Sequence, residues 1–186
     1  MRIISGSLKG KLINFLKNSN TRPLKDIVKE NIFNILNHSN LINIEIEKSN
    51  VLDLYSGVGS FGIECISRGA KKVTFIENNK EAVNILNKNL IQHSIINKTS
   101  ILKDDINSAL KNLRDERFNI FFLDPPFADK NFVQNIEIIK TNKMFQNKHV
   151  VILHREKKTL DELEKFIKIL AIKQYGRSKI IFGVFN

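Results

Sequence analysis

Hydrophobic positions change period along this chain, and the changes mark its elements. Residues 2–16 alternate loosely around Gly6 and Gly10, which predicts a short hairpin turned by glycine. After an extended stretch ending at Thr21-Arg22-Pro23, Val28, Ile32, Ile35 and Leu36 recur at helical spacing through Asn37. Residues 40–50 are polar and irregular and read as a linker or a partner-facing loop. From Val51 onward short apolar runs alternate with helical patterns, the signature of repeated βαβ units and a parallel sheet. Strands are predicted over 51–54, 72–76, 100–102, 120–123 and 150–153, and helices over 59–68, 80–93, 106–113, 132–140 and 160–163. The tail differs: 166–173 and 178–185 are strand-like runs joined by Gln174-Tyr175-Gly176-Arg177, a hairpin that makes the sheet's last edge antiparallel. The predicted organisation is a small extension over 1–40 followed by an α/β domain over 41–186.

A chain of 186 residues supports one well-buried core. No apolar run approaches the ~20 residues of a membrane span. The opening Met1-Arg-Ile-Ile-Ser-Gly lacks the apolar stretch of a secretory signal, and a single Cys65 suits a reducing compartment, so a cytoplasmic protein is expected. A net charge of +11 favours polyanionic partners, and its placement sharpens this. No acid precedes Asp26 and none follows Glu164, so both chain ends are purely basic. Arg2, Lys9, Lys11, Arg22, Lys25 and Arg177 are the expected phosphate contacts. The plainer alternative is a solvated face that keeps the chain soluble.

The chemistry concentrates at strand ends, where open α/β sheets carry their sites. Asp53-Leu-Tyr55-Ser-Gly57-Val-Gly59-Ser-Phe-Gly62 is a strand that ends in a glycine turn and opens a helix. Glu77 lies 20 residues beyond Gly57, at the next strand end, where a ribose-binding acid belongs. The glycine spacing equally fits a dinucleotide, and a nicotinamide oxidoreductase is a rival reading. Asp53, however, would repel a pyrophosphate and suits a cationic ligand. S-adenosylmethionine carries an ammonium and a sulfonium, so it is the preferred cofactor. Tyr55, Gly57, Gly59 and Asn78 fall on the same predicted wall, with Asp105 and Ile106 assigned to the adenine; Asp105 could equally cap the helix that follows.

The second motif, Asp124-Pro125-Pro126-Phe127, follows an apolar strand. Asp124 and the Pro125 carbonyl would each accept a hydrogen bond from an exocyclic amine and stabilise the charge that develops on it, while Phe127 stacks on the base. Guanine is favoured, because its N1 and N2 offer adjacent donors; adenine-N6 methylation is the alternative of the same chemistry. The four histidines lack metal-ligand spacing, and no metal site is predicted. Cys65, near Phe61 and Ile66, reads as a buried core thiol.

These residues resemble the bacterial 16S ribosomal RNA guanine-N2 methyltransferases of the RsmD type. Arg2-Ile-Ile-Ser-Gly-Ser-Leu-Lys-Gly looks like that family's opening hairpin, Thr21-Arg22-Pro23 through Asp26 and Glu30 to Phe33-Asn34 like its leading helix, and the glycine turn, Asp124-Pro-Pro-Phe127 and Tyr175-Gly176 follow in order. The resemblance implies a Rossmann-like class I methyltransferase sheet of seven strands, S-adenosylmethionine as donor with S-adenosylhomocysteine as product, and methylation of one loop guanine of small-subunit RNA in a partly assembled 30S particle; a monomer is expected. Leu24, Lys25 and Ile27 stand where the family usually has two threonines and an arginine, and Asn78 or Asn79 where it often has an acid. A non-catalytic RNA-binding assembly factor is the reading from a different class. A protein-glutamine methyltransferase, which also grips a planar amide, fits the acid-free ends poorly.

Overall fold

The computed structural model describes residues 1–16 and 24–186. Seven strands form one sheet in the order β3-β2-β1-β4-β5-β7-β6. They are β1 (Asn50–Leu54), β2 (Lys72–Ile76), β3 (Thr99–Leu102), β4 (Phe118–Leu123), β5 (Phe145–Glu156), β6 (Ile167–Tyr175) and β7 (Ser178–Phe185). The helices are α1 (Asp26–His38), α2 (Ser60–Ser67), α3 (Lys80–Gln92), α4 (Ile106–Asn112) and α5 (Phe132–Thr141). β1 to β5 pair in parallel, while β7 inserts antiparallel between β5 and β6. This is the sheet that the resemblance implies.

Because side chains alternate across a strand, the near-continuous apolar strands bury both faces. Val51, Phe75, Ile120, Phe122 and Ile152 face one layer with Phe61 and Leu86, and Leu52, Leu54, Phe121, Leu123 and Leu153 face the other with Ile136 and Ile139. Phe33, Phe61 and Phe122 stack in series, with centroids 5.1 and 4.1 Å apart.

The first residues form the expected hairpin, with Arg2 bridged antiparallel to Leu12 and the Ile3 N–H donating to the Lys11 carbonyl at 2.9 Å. It is not a detached appendage. Ile3, Leu8 and Ile13 share a core with Val51 and Phe61. Glu64 of α2, fully buried, accepts the N–H groups of Ile4 and Ser5 at 2.8 and 2.9 Å. Gly6 approaches α2 so closely that a Cβ there would lie 1.9 Å from the Ser67 carbonyl oxygen. Lys29 of α1 is buried as well, donating to the Arg2 carbonyl at 2.8 Å and to Ser60 Oγ at 3.2 Å. Burial pulls its pKa below the usual lysine range, opposed by the carboxylates of Glu64 and Asp26.

Two expectations need correction. Residues 160–163 form no helix: Thr159 and Asp161 spend their side chains on hydrogen bonds within this segment and to Arg155, and Leu160 is fully exposed. The polar stretch 40–50 is not a free linker, since Ile42 and Ile46 anchor it in the core.

Candidate methyltransferase site

β1 and β4 are neighbours in register, with Asp53 opposite Phe122 and Leu54 opposite Leu123. Both strands therefore deliver their carboxylates to one sheet end. A cavity of about 310 Å³ opens there, lined among others by Asp53, Tyr55, Gly57, Glu77, Asp124, Pro125, Pro126 and Phe127. Both sequence motifs thus meet in one space, with Phe61 and Phe122 as apolar lining.

Asp53 is 1% exposed. Its Oδ2 accepts the Gly62 N–H at 3.0 Å, and its Oδ1 is buried with no hydrogen-bond partner among the described residues. Burial drives its pKa well above the carboxylate range, the Gly62 N–H works against this, and the charges of Asp124 and Glu77 add to the rise. A buried carboxylate oxygen lacking a donor at a cavity wall is the arrangement a cationic group would satisfy.

The glycine turn is braced from inside. Glu77 accepts the Gly57 N–H at 2.7 Å and the Asn79 N–H at 2.8 Å, and as a cavity-lining carboxylate it keeps lone pairs beyond these two bonds. Gly59 sits at φ +83°, where a Cβ would come within 2.3 Å of Leu86 Cδ1 and 3.2 Å of Phe75 Cε1. Tyr55 is partly buried; its hydroxyl donates to Asp129 at 3.0 Å and accepts from Asn135 at 2.8 Å, tying β1 to the segment after the acceptor motif. Burial and the Asp129 carboxylate push that phenol above its ordinary value.

Asp124 is partly open, and its Oδ1 lies 2.8 Å from His154 Nδ1. The Arg155 guanidinium, 2% exposed, donates to the Pro126 and Phe127 carbonyls at 3.2 Å each, and covers the Phe132 ring at 4.4 Å. Asp161 accepts from the same guanidinium at 3.2 Å. Arg155 thus holds the carbonyls next to that of Pro125 and shapes the turn without using the Pro125 acceptor.

Four other expected cofactor residues, Gly59, Asn78, Asp105 and Ile106, are not among those that line this cavity. Asp105 caps α4, accepting from the Ser108 N–H at 3.0 Å and its hydroxyl at 2.7 Å, and these bonds hold its pKa low. Arg2, Lys9, Lys11, Lys25 and Arg177 are all exposed, and Arg22 lies outside the described residues. Sequence reasoning missed Met1, Phe15, Leu16 and Leu24 of the leading segment as cavity lining, and also His154. Cys65 is fully buried, as a core thiol should be. Among the described residues no cluster of His, Cys, Asp and Glu could hold a metal ion, and no helix is long and apolar enough to cross a membrane.

Residues 1–184 match the model of the family described as Conserved hypothetical protein 95. The ribosomal RNA small subunit methyltransferase D of Buchnera aphidicola subsp. Baizongia pistaciae is 35% identical over 163 residues, 88% of this chain and 79% of that protein. A crystal structure of a candidate methylase from Haemophilus influenzae is 29% identical, with a TM-score of 0.78 over 98% of this chain and 96% of that one. A candidate methyltransferase, SMU.776, solved with S-adenosylhomocysteine bound, shares the fold at 16% identity and TM-score 0.64, over 77% of this chain and 47% of that one. The chain belongs to the Conserved hypothetical protein 95 family, that of the RsmD-type ribosomal RNA methyltransferases.

Proposed function

We propose that this protein transfers a methyl group from S-adenosylmethionine to the exocyclic N2 of a guanine in small-subunit ribosomal RNA. The observation that carries the reading is the single cavity shared by the unpaired Asp53 oxygen and the Asp124–Phe127 turn. The names of the relatives support the rRNA methyltransferase part, and the choice of guanine N2 rests on the donor pattern of that base.

S-adenosylmethionine, when bound, supplies an electrophilic methyl on a sulfonium. Asp53 meets positive charge on the cofactor side, and Glu77 accepts from ribose hydroxyls while its bonds to Gly57 and Asn79 keep it in place. Asp124 and the Pro125 carbonyl take the two amine hydrogens, which favours rehybridisation of a nitrogen whose lone pair is delocalised into the ring. Phe127 stacks on a base drawn out of its helix. Transfer of the methyl would exchange its bond to sulfur for one to nitrogen and leave S-adenosylhomocysteine, and Asp124, whose side chain is 23% exposed, is placed to take the surplus proton of the cationic nitrogen. Exposed Arg177, on the β6–β7 turn beside the end of β5, and exposed Arg2, Lys9 and Lys11 on the hairpin suit contacts to RNA phosphates.

Two results test the reading. Asp53→Asn keeps an oxygen for the Gly62 N–H but cannot ionise against the cofactor's positive charge, so cofactor affinity should fall about tenfold or more, as for the loss of a charge-assisted contact. Its stability should respond with the opposite sign. The native carboxyl holds its proton above the pH at which the unfolded chain has lost it, so stability of the free wild type declines as pH rises from the ordinary carboxylate range toward the raised value. The Asn variant should lack that decline in thermal melts across pH. Preferential binding of NAD over S-adenosylmethionine would contradict the role of Asp53. Removing Lys9, Lys11 and Arg177 together should lower the slope of log K against log salt for RNA by about 2–3, since each phosphate contact contributes ~0.9 on a duplex and ~0.7 on a single strand; an unchanged slope would rule them out as phosphate contacts.

A further inference from the structure

We propose that His154 is the positioning residue of the acceptor site: it occupies Asp124 Oδ1 and thereby presents Oδ2 to the amine. The inference rests on the methyl-transfer reading and adds to it a residue that neither motif contains. The strands bring the pair together. β4 and β5 run parallel with Leu123 opposite Leu153, so Asp124, the first residue past the end of β4, stands beside His154, which is still within β5. An ionised carboxylate only accepts, so at 2.8 Å the His154 Nδ1 carries the hydrogen. The other nitrogen, Nε2, is buried without a partner among the described residues. A proton on it would be an N–H with no acceptor, so the tautomer that fits the geometry carries its hydrogen on Nδ1.

That state fits the chemistry required of Asp124. A neutral N–H donor fixes the carboxylate without cancelling its charge, whereas an imidazolium would compete with the amine for it. The ring itself is fixed: His154 is 6% exposed, and Phe127 stands edge-on to it at 5.8 Å and 81°. The next residue, Arg155, grips the Pro126 and Phe127 carbonyls. Two consecutive residues of β5 therefore hold the acceptor turn, one by its carboxylate and the other by its backbone. The Leu123–Leu153 pair adjoining them sets their register.

The test compares His154→Leu, which has no donor, with His154→Asn, whose Nδ2 can replace Nδ1–H. Cofactor Kd, RNA KM and kcat are measured for each against wild type. His154→Leu should lose about 10²-fold in kcat, the scale of a misplaced catalytic group, with cofactor Kd and RNA KM unchanged, and His154→Asn should recover most of the loss. A His154→Leu kcat within about twofold of wild type, or an Asn variant no better than Leu, overturns the proposal. If His154→Leu fails to bind cofactor and so has not folded, His154→Ala with added imidazole replaces it; rescue by imidazole supports the role and its absence overturns it. A wild type that binds cofactor but methylates no guanine overturns the underlying reading, and the proposal with it.

Discussion

Asp124→Ala is expected to lose about 10²–10³-fold in kcat, the usual cost of removing a preorganised group aimed at developing charge, while binding cofactor as wild type does. The separation follows from the geometry. Asp124 stands beside His154 and the proline turn, whereas the proposed cofactor side is Asp53 and the Glu77-braced glycine turn. Asp124→Asn should be little better, because its amide places a donor where an acceptor is needed. Single-turnover methyl transfer at saturating cofactor is the measurement, with cofactor affinity by calorimetry alongside. Unchanged turnover in Asp124→Ala would remove this residue from the mechanism.

The second large effect is on stability. Asp161→Ala leaves the Arg155 guanidinium buried with its carboxylate partner gone, a change that costs about 3–5 kcal/mol in a fold whose whole margin is about 5–15 kcal/mol. Asp161 also faces Lys179 at 3.7 Å and accepts from Thr159 Oγ1 at 2.8 Å, so the variant loosens the whole segment between β5 and β6. The urea midpoint should drop steeply. Pairing the change with Arg155→Met should return part of the loss, because the guanidinium is then gone and only Lys179, 13% exposed, keeps a charge without its carboxylate. It should not return activity, since Met cannot hold the Pro126 and Phe127 carbonyls. A midpoint shift equivalent to less than about 1 kcal/mol for Asp161→Ala would mean that water or another group takes over the guanidinium, against the burial seen here.

The sheet was legible in the sequence because its strands are apolar runs bounded by turn residues, and β2 and β7 fall where the pattern puts them. β5 was read short, since its first half, Phe145 to His149, carries mostly polar residues on exposed backbone. The helix expected at 160–163 had one short apolar pair to support it, and Asp161 instead serves Arg155 from across the turn. The two motifs were readable because each stands directly after an apolar strand. Contacts between distant segments were not. Nothing local in Met1, Phe15, Leu16 or Leu24 signals a cavity wall; that follows from Glu64 and Ser67 drawing the hairpin onto α2. His154 left a usable trace. The predicted strands 120–123 and 150–153 both end one residue before a polar side chain, and parallel neighbours in matched register bring such residues together. Of the two roles that its place in the chain allowed Asp105, the structure shows one, the cap of α4.

The most direct measurement is incubation of the purified protein with labelled S-adenosylmethionine and undermethylated small ribosomal subunits, followed by nucleoside digestion and mass analysis. The expected product is N2-methylguanosine at a single position, lost in Asp124→Ala. N6-methyladenosine would keep the cavity chemistry but contradict the assignment of the acceptor, and no incorporation into either subunits or free RNA would contradict methyl transfer itself and favour a non-catalytic role on ribosomal RNA.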